Sequence, residues 1–160
     1  MPLGSAAALA WSLRQATRAD IPQIQRVRHS VKENRLTSRV ILDDDVASAI
    51  EGAGRGWVVD IEGRIVGFSI AQCDPGSDKT GSIWALFVDP DFEGQGLGRR
   101  LHDVAVQWLW SCGVQWLWLS TEADTRAERF YELSGWQRCG LTPDGEVRFQ
   151  MLTFQPPVSN

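Results

Sequence analysis

Residues 91–103, "DFEGQGLGRRLHD", place Gly94, Gly96 and Gly98 at alternate positions directly ahead of a helical pattern. Upstream, "GSIWALFV" (residues 81–88) reads as a buried strand ended by Asp89 and Pro90. A strand, a sharp turn, a glycine loop and a helix start therefore follow one another. The first amides of a helix have no partner within it, and the helix dipole makes that end positive. Glycines let an anion approach those amides, so the loop reads as a phosphate site; a flexible loop that merely needs positive φ angles is the other reading. Neither of two standard phosphate loops fits. A Walker loop needs Lys and Ser or Thr after its last glycine, where Arg99 and Arg100 stand, and a dinucleotide fingerprint is spaced G-x-G-x-x-G after a first strand, whereas this G-x-G-x-G lies mid-chain.

The 160 residues are 43% apolar with no break in composition, which predicts a single domain over residues 11–155, a disordered segment or cloning scar over 1–10 and a tail over 156–160. A net charge of −4 and a pI near 5.1 argue against a nucleic-acid partner, which requires a basic surface. The apolar run in the first ten residues is too short for a signal peptide or a membrane span, so a cytoplasmic protein without a membrane partner is expected. Cys73, Cys112 and Cys139 lack the paired spacing of a zinc site or a disulfide framework and read as reduced packing thiols. His29 and His102 have no metal-ligating company, so they read as surface or packing residues and no metal is expected.

Strand and helix patterns alternate along the chain. "WSLRQAT" suits a first strand; Thr17 or Asp20 can cap a helix with Pro22 in its first turn and Ile21, Ile24, Val27, Arg28 and Val31 at helical spacing. A second short helix is expected over residues 43–52, and "GWVVDIEGRIVGFSIA" is a hairpin turning at Glu62 and Gly63. After the glycines, Leu97, Leu101, Val104, Ala105, Trp108 and Cys112 mark one core-facing helix stripe. "VQWLWLS" suits a fifth strand, residues 124–134 a last helix, and "GWQRCGL" and "EVRFQMLTF" two closing strands. The order β-α-α-β-β-β-α-β-α-β-β predicts a mixed α/β fold with helices on both faces of one sheet.

The assembled pieces resemble the GNAT superfamily of N-acyltransferases. "ALFVDPDFEGQGLGRRL" is similar to its acyl-CoA loop, which runs Val-x-Pro and then Arg/Gln-x-x-Gly-x-Gly/Ala. "LRQATRADIPQI" is similar to its first strand and helix, "GWVVDIEGRIVGFSI" to its second and third strands, and "DTRAERFYELSGW" to its late-helix motif, Asn-x-x-Ala-x-x-Leu-Tyr-x-x-x-Gly-Phe. The likeness covers nearly all of residues 12–153 in the family's order. It implies a mostly antiparallel sheet of six to seven strands. It also implies an N-acetyltransferase, a transferase of acyl groups other than aminoacyl groups, in which acetyl-CoA is the cosubstrate. A primary amine, on a small molecule or a peptide, would attack the thioester directly in a ternary complex. A non-catalytic acyl-CoA-binding or regulatory module is the alternative.

Carried over by position, the resemblance implies that the backbone of Leu86, Phe87 and Val88 holds the pantetheine arm and that amides of Gly94, Gln95, Gly96, Leu97, Gly98 and Arg99 wrap the diphosphate. Arg99 or Arg100 would add charged contacts, and Tyr131 would protonate the departing thiolate. Three features depart from the family. Glu93 replaces the leading Arg or Gln and is expected to point outward. Asp124 replaces the late-helix Asn, and serves the cofactor or caps the helix. The base positions fall at Ser82 and Leu119, leaving Glu122 as the nearest general base, then Glu33, or a water relay. The acceptor site is expected to include Arg28, Glu33, Asn34 and Trp84, with Arg35, Arg148 and Phe149 as further candidates. Trp108, Trp116 and Trp118 read as core. Trp110, with Val106 and Leu109, lies off the helix stripe and suggests cover by another element or a homodimer contact.

Overall fold

The computed structural model describes residues 10–31 and 41–153. Its elements run β1 (Trp11–Gln15), α1 (Ile21–Ser30), α2 (Asp43–Glu51), β2 (Gly54–Ile61), β3 (Arg64–Cys73), β4 (Thr80–Val88), α3 (Leu97–Ser111), β5 (Trp116–Thr121), α4 (Arg126–Leu133), β6 (Gln137–Leu141) and β7 (Val147–Leu152). Short 3-10 turns at Arg18–Asp20 and Pro90–Phe92 precede α1 and follow β4. This is the mixed α/β order expected from the sequence, and the seven strands form one sheet in the order β1-β2-β3-β4-β5-β7-β6. All neighbours are antiparallel except β4 and β5.

Continuous apolar runs in β2 and β3 are explained by burial on both faces. Trp57 and Val59 enter one core with α3 and α4, whereas Val58, between them, enters the other with α1 and α2. Ile65 and Phe68 join the second core and Val66 the first. Glu62 (φ 51°) and Gly63 (φ 92°) make the tight hairpin between these strands. On the first face, Leu97, Leu101, Ala105 and Leu109 recur every fourth residue along α3 and are buried. The helix approaches closely because β3 carries Gly67: a Cβ there would lie 3.0 Å from Leu101 Cδ1. Ser69 Oγ adds a 3.0 Å hydrogen bond to the Leu101 carbonyl. Truncating Leu101 to Ala would cost about 2–5 kcal/mol.

Several expectations from the sequence are corrected. In β5 the core-facing residues are Leu117 and Leu119; Trp116 is 48% exposed, and Trp118 donates Nε1–H to Asp74 (2.8 Å) beneath the Arg148 guanidinium. A strand with apolar residues on both faces does not reveal its register by pattern, and a one-residue slip exchanges the faces. Val106 and Leu109 are buried in the core rather than off its stripe, and Trp110 packs partly against it. Cys112 and Cys139 are exposed and do not pack in the core.

One local register positions everything that follows. Parallel β4 and β5 pair only through Thr80, Gly81 and Ser82 with Trp116, Leu117 and Trp118. Beyond Ser82, β4 stays hydrogen-bonded to β3 as far as Val88 while β5 follows β7, so the two strands diverge and leave a wedge between them.

Candidate active site

A cavity of about 1220 Å³ opens at this wedge. One wall is the outer half of β4, with Trp84, Leu86, Phe87 and Val88; the floor includes Gly94, Gly96, Leu97, Gly98 and Arg99; the other wall is the end of β5, α4 and the β6–β7 turn.

The turn out of β4 is fixed by Asp89. Its side chain is 5% exposed, accepts the Asp91 amide (3.0 Å), and receives Arg26 and Arg64 at 3.4 Å each, while its own amide donates to the Val66 carbonyl (2.8 Å). The chain then enters the glycine loop, with Gly94 and Gly96 in the left-handed region at φ 79° and 82°. Gly98 is different. It lies inside the first turn of α3, where a Cβ would meet nothing closer than Val88 Cγ2 at 3.8 Å. Glycine lowers helix stability relative to alanine. No intrachain contact requires it at this position.

Tyr131 is placed from the opposite wall. Thr125 caps α4, its Oγ1 accepting the Glu128 amide (3.3 Å) and donating to the Glu122 carbonyl (2.8 Å). Asp124 is therefore not the cap; it sits at φ 61° and gives its amide to Glu128 Oε2 (2.7 Å). Glu128 also pairs with Arg138 of β6, tying the start of the helix to the sheet edge. The Tyr131 ring lies 5.3–6.1 Å, centroid to centroid, from Phe130, Trp136 and Phe149, and is 6% exposed. Burial raises its phenol well above the ordinary value of 10.0, so it is protonated at every physiological pH.

Behind this ring, Trp136 donates Nε1–H to His102 Nε2 (2.9 Å), which assigns the His102 proton to Nδ1, 2.8 Å from Asp103 Oδ1. Burial lowers the His102 pKa and Asp103 only partly opposes it.

Charged side chains of both signs line the cavity. Arg28 is 5% exposed, with its guanidinium 5.4–5.7 Å from the ring centroids of Trp84, Phe87 and Phe68. Burial lowers it to about 10, which leaves it cationic at neutral pH. Glu122, Asp144 and Glu146 occupy the wall formed by β5 and the β6–β7 turn. Burial, followed by the charges of Glu122 and Asp144, raises the Glu146 pKa. Glu93 lies on the lip, paired with Arg126 of α4 across the cavity mouth, rather than pointing away as expected.

The cavity wall thus brings together Arg28, Trp84, Leu86, Phe87, Val88, Gly94, Gly96, Leu97, Gly98, Arg99, Glu122 and Tyr131. Gln95 and Asp124 are exposed and stand off the wall. Glu33, Asn34 and Arg35 lie outside the described residues. Phe149 is core packing under Tyr131, Arg148 stacks on Trp118, and Arg100 lies over Trp11, so none of the three lines the cavity. Glu146 and Arg126 were not anticipated. The only sequence sign of Glu146 was its position next to a Pro-Asp-Gly turn, and Arg126 read as an ordinary first-turn residue.

The acetyltransferase (GNAT) family model matches residues 18–136, most of the chain. The chain belongs to the GNAT family. Among its relatives, the mycothiol acetyltransferase of Propionibacterium freudenreichii subsp. shermanii is 29% identical over 124 residues, covering 73% of this chain and 40% of the relative. That of Geodermatophilus obscurus is 41% identical over 66 residues, covering 41% of this chain and 21% of the relative. The chain spans less than half the length of these curated relatives. Among solved structures, the fold matches yncA of Salmonella typhimurium with its cofactor acetyl-CoA at a TM-score of 0.77 (18% identity, 94% of this chain and 98% of that one). That structure shares the fold of this chain, in which the cavity lies at the wedge between β4 and β5.

Proposed function

We propose that the chain is an N-acetyltransferase that moves an acetyl group from acetyl-CoA to a primary amine by direct attack in a ternary complex. The observation carrying this reading is that Tyr131 and the glycine-rich start of α3 face one cavity at the point where β4 leaves β5. Both CoA ends are provided for: helix-start amides of Gly96, Leu97, Gly98 and Arg99 suit the diphosphate, and the free edge of β4 at Leu86, Phe87 and Val88 suits the amides of the pantetheine arm. Amides there would also stabilise the thioester oxygen, which gains charge as the amine attacks.

Burial refines the role of Tyr131. Burial keeps the phenol protonated at neutral pH, and the same desolvated site raises the proton affinity of the departing thiolate. Tyr131 therefore hydrogen-bonds the leaving sulfur and protonates it as it departs. Glu122, with Glu146 beside it, receives the amine proton directly or through water, the raised Glu146 being the better-matched base. Arg28 faces any anionic group of the acceptor.

The test is thiol release from acetyl-CoA over a panel of amines, including acceptors of the mycothiol type suggested by the relatives' names, with CoA binding measured in parallel. Tyr131→Phe is expected to lower kcat about 100-fold while changing CoA affinity less than about 3-fold. Equal loss of both contradicts the role. A non-catalytic acyl-CoA-binding module is favoured by the absence of an acid at Ser82 and Leu119, both buried in the sheet. Binding of CoA without thiol release across the panel would establish that reading instead.

A further inference from the structure

Cys73 ends β3 and Cys112 forms the C-cap of α3. Cys73 is registered opposite Gly81 of β4, and directly opposed residues of antiparallel strands point to the same face. A Cβ on Gly81 would lie 2.9 Å from Leu109 Cδ2 and 3.5 Å from Val114 Cγ1, so that face looks onto the last turn of α3 and the segment just beyond it. Cys112 sits between those two residues, held by its amide to the Trp108 and Leu109 carbonyls at 3.1 Å each. Cys73 packs against the core that α3 covers, so the two thiols lie near each other on this face, close enough for Cys112 to act on the Cys73 thiol. Both are free cysteines, Cys112 exposed and Cys73 half-buried; Cys139, also exposed, lies on β6.

We propose that Cys73 and Cys112 form a reversible dithiol–disulfide site that reacts with low-molecular-weight disulfides. The exposed Cys112 thiolate attacks one sulfur of the small disulfide, forming a mixed disulfide and expelling one small thiolate. The Cys73 thiolate then attacks Cys112 Sγ, closing the Cys73–Cys112 bond and expelling the second. Two electrons and two protons leave the protein and reduce the small disulfide to two thiols. Burial raises the Cys73 thiol, which suits it to the second, intramolecular step rather than the first. The bond closes a covalent ring through residues 73–112, which contains β4, the glycine loop and α3. Oxidation thus ties together the base of the half-molecule that carries the cavity floor. The inference does not rest on the acetyltransferase reading.

The test uses the full chain incubated with excess glutathione disulfide, then alkylated under denaturing, non-reducing conditions and mapped by peptide mass. The expected product has one alkylated cysteine, Cys139, and a Cys73–Cys112 linkage that a dithiol reagent reverses. Its thermal midpoint rises by roughly 5 °C or more over the reduced protein, because the cross-link restricts the unfolded chain. Cys73→Ser and Cys112→Ser each abolish the linkage and the rise, whereas Cys139→Ser keeps both. If wild-type protein instead carries stable glutathione adducts with no internal bond, or remains fully reduced, the proposal is overturned.

Discussion

Replacing Gly98 by alanine separates the intrachain demands of the glycine loop from the ligand's. Gly98 is in the first turn of α3, outside the left-handed region, and an added Cβ would find Val88 Cγ2 at 3.8 Å, an ordinary contact. Alanine there should stabilise the fold by about 0.5–1 kcal/mol through its lower unfolded-state entropy and better helix propensity. For a chain of this size that is a rise in Tm of roughly 1–4 °C. Gly98 also lines the cavity, so the same methyl would crowd a diphosphate approaching the helix-start amides. We expect CoA affinity to fall about 10-fold or more, equivalent to at least about 1.4 kcal/mol. Gly96→Ala is the contrasting variant: at φ 82° it should also weaken CoA, while lowering stability by about 1–2 kcal/mol. Scanning fluorimetry gives the stabilities and calorimetry with CoA the affinities. A Gly98→Ala protein that is stabilised but binds CoA normally refutes the ligand argument, and one that is destabilised refutes the steric argument.

Asp20 accepts both Arg14 Nη groups at 2.9 Å and the Thr17 amide at 2.9 Å; Arg14 first, with the Thr17 amide assisting against burial, holds its carboxyl below 3.8. The stability it contributes is present above about pH 3.8 and is lost as pH falls through its folded pKa. Asp20→Asn should cost about 1–2 kcal/mol at pH 7 and flatten the acid limb of a urea-midpoint profile; a variant limb as steep as the parent's would count against it. For His102 the folded pKa is depressed, so stability is complete above about 6.5 and declines as pH falls through that lowered value, against Asp103, which favours the charged ring, and Arg99, which opposes it. His102→Gln, keeping an acceptor for Trp136 Nε1, should remove that slope between pH 7.5 and 5, as read from urea midpoints; an unchanged slope would assign it to another group.

The elements that place the site were legible because each carries a local signal. Pro90 and three glycines punctuate the passage from β4 to α3, and Glu62 and Gly63 announce the hairpin. The motif around Tyr131 put that residue on α4, where the structure has it. What escaped reading depends on contacts distant in sequence. Trp116 and Leu117 are both large and apolar, so nothing local says which faces the core, and the pairing of β5 with β7 decides it. Glu146 reaches the cavity through the curl of the β6–β7 turn, and Arg126 reaches Glu93 across the mouth. Leu109 falls on a helix whose apolar residues cover more than one stripe, which blurs any inside and outside assigned from periodicity alone.

The short seam between β4 and β5 has a mechanical meaning. With Thr80, Gly81 and Ser82 as the β4 residues that bridge to β5, the sheet is two plates riveted near one end. An occupant wedged between the plates would act as a spar, so part of its affinity would be drawn from suppressing their relative motion, and amide exchange along β3 and β7 would slow far from any atom it touches.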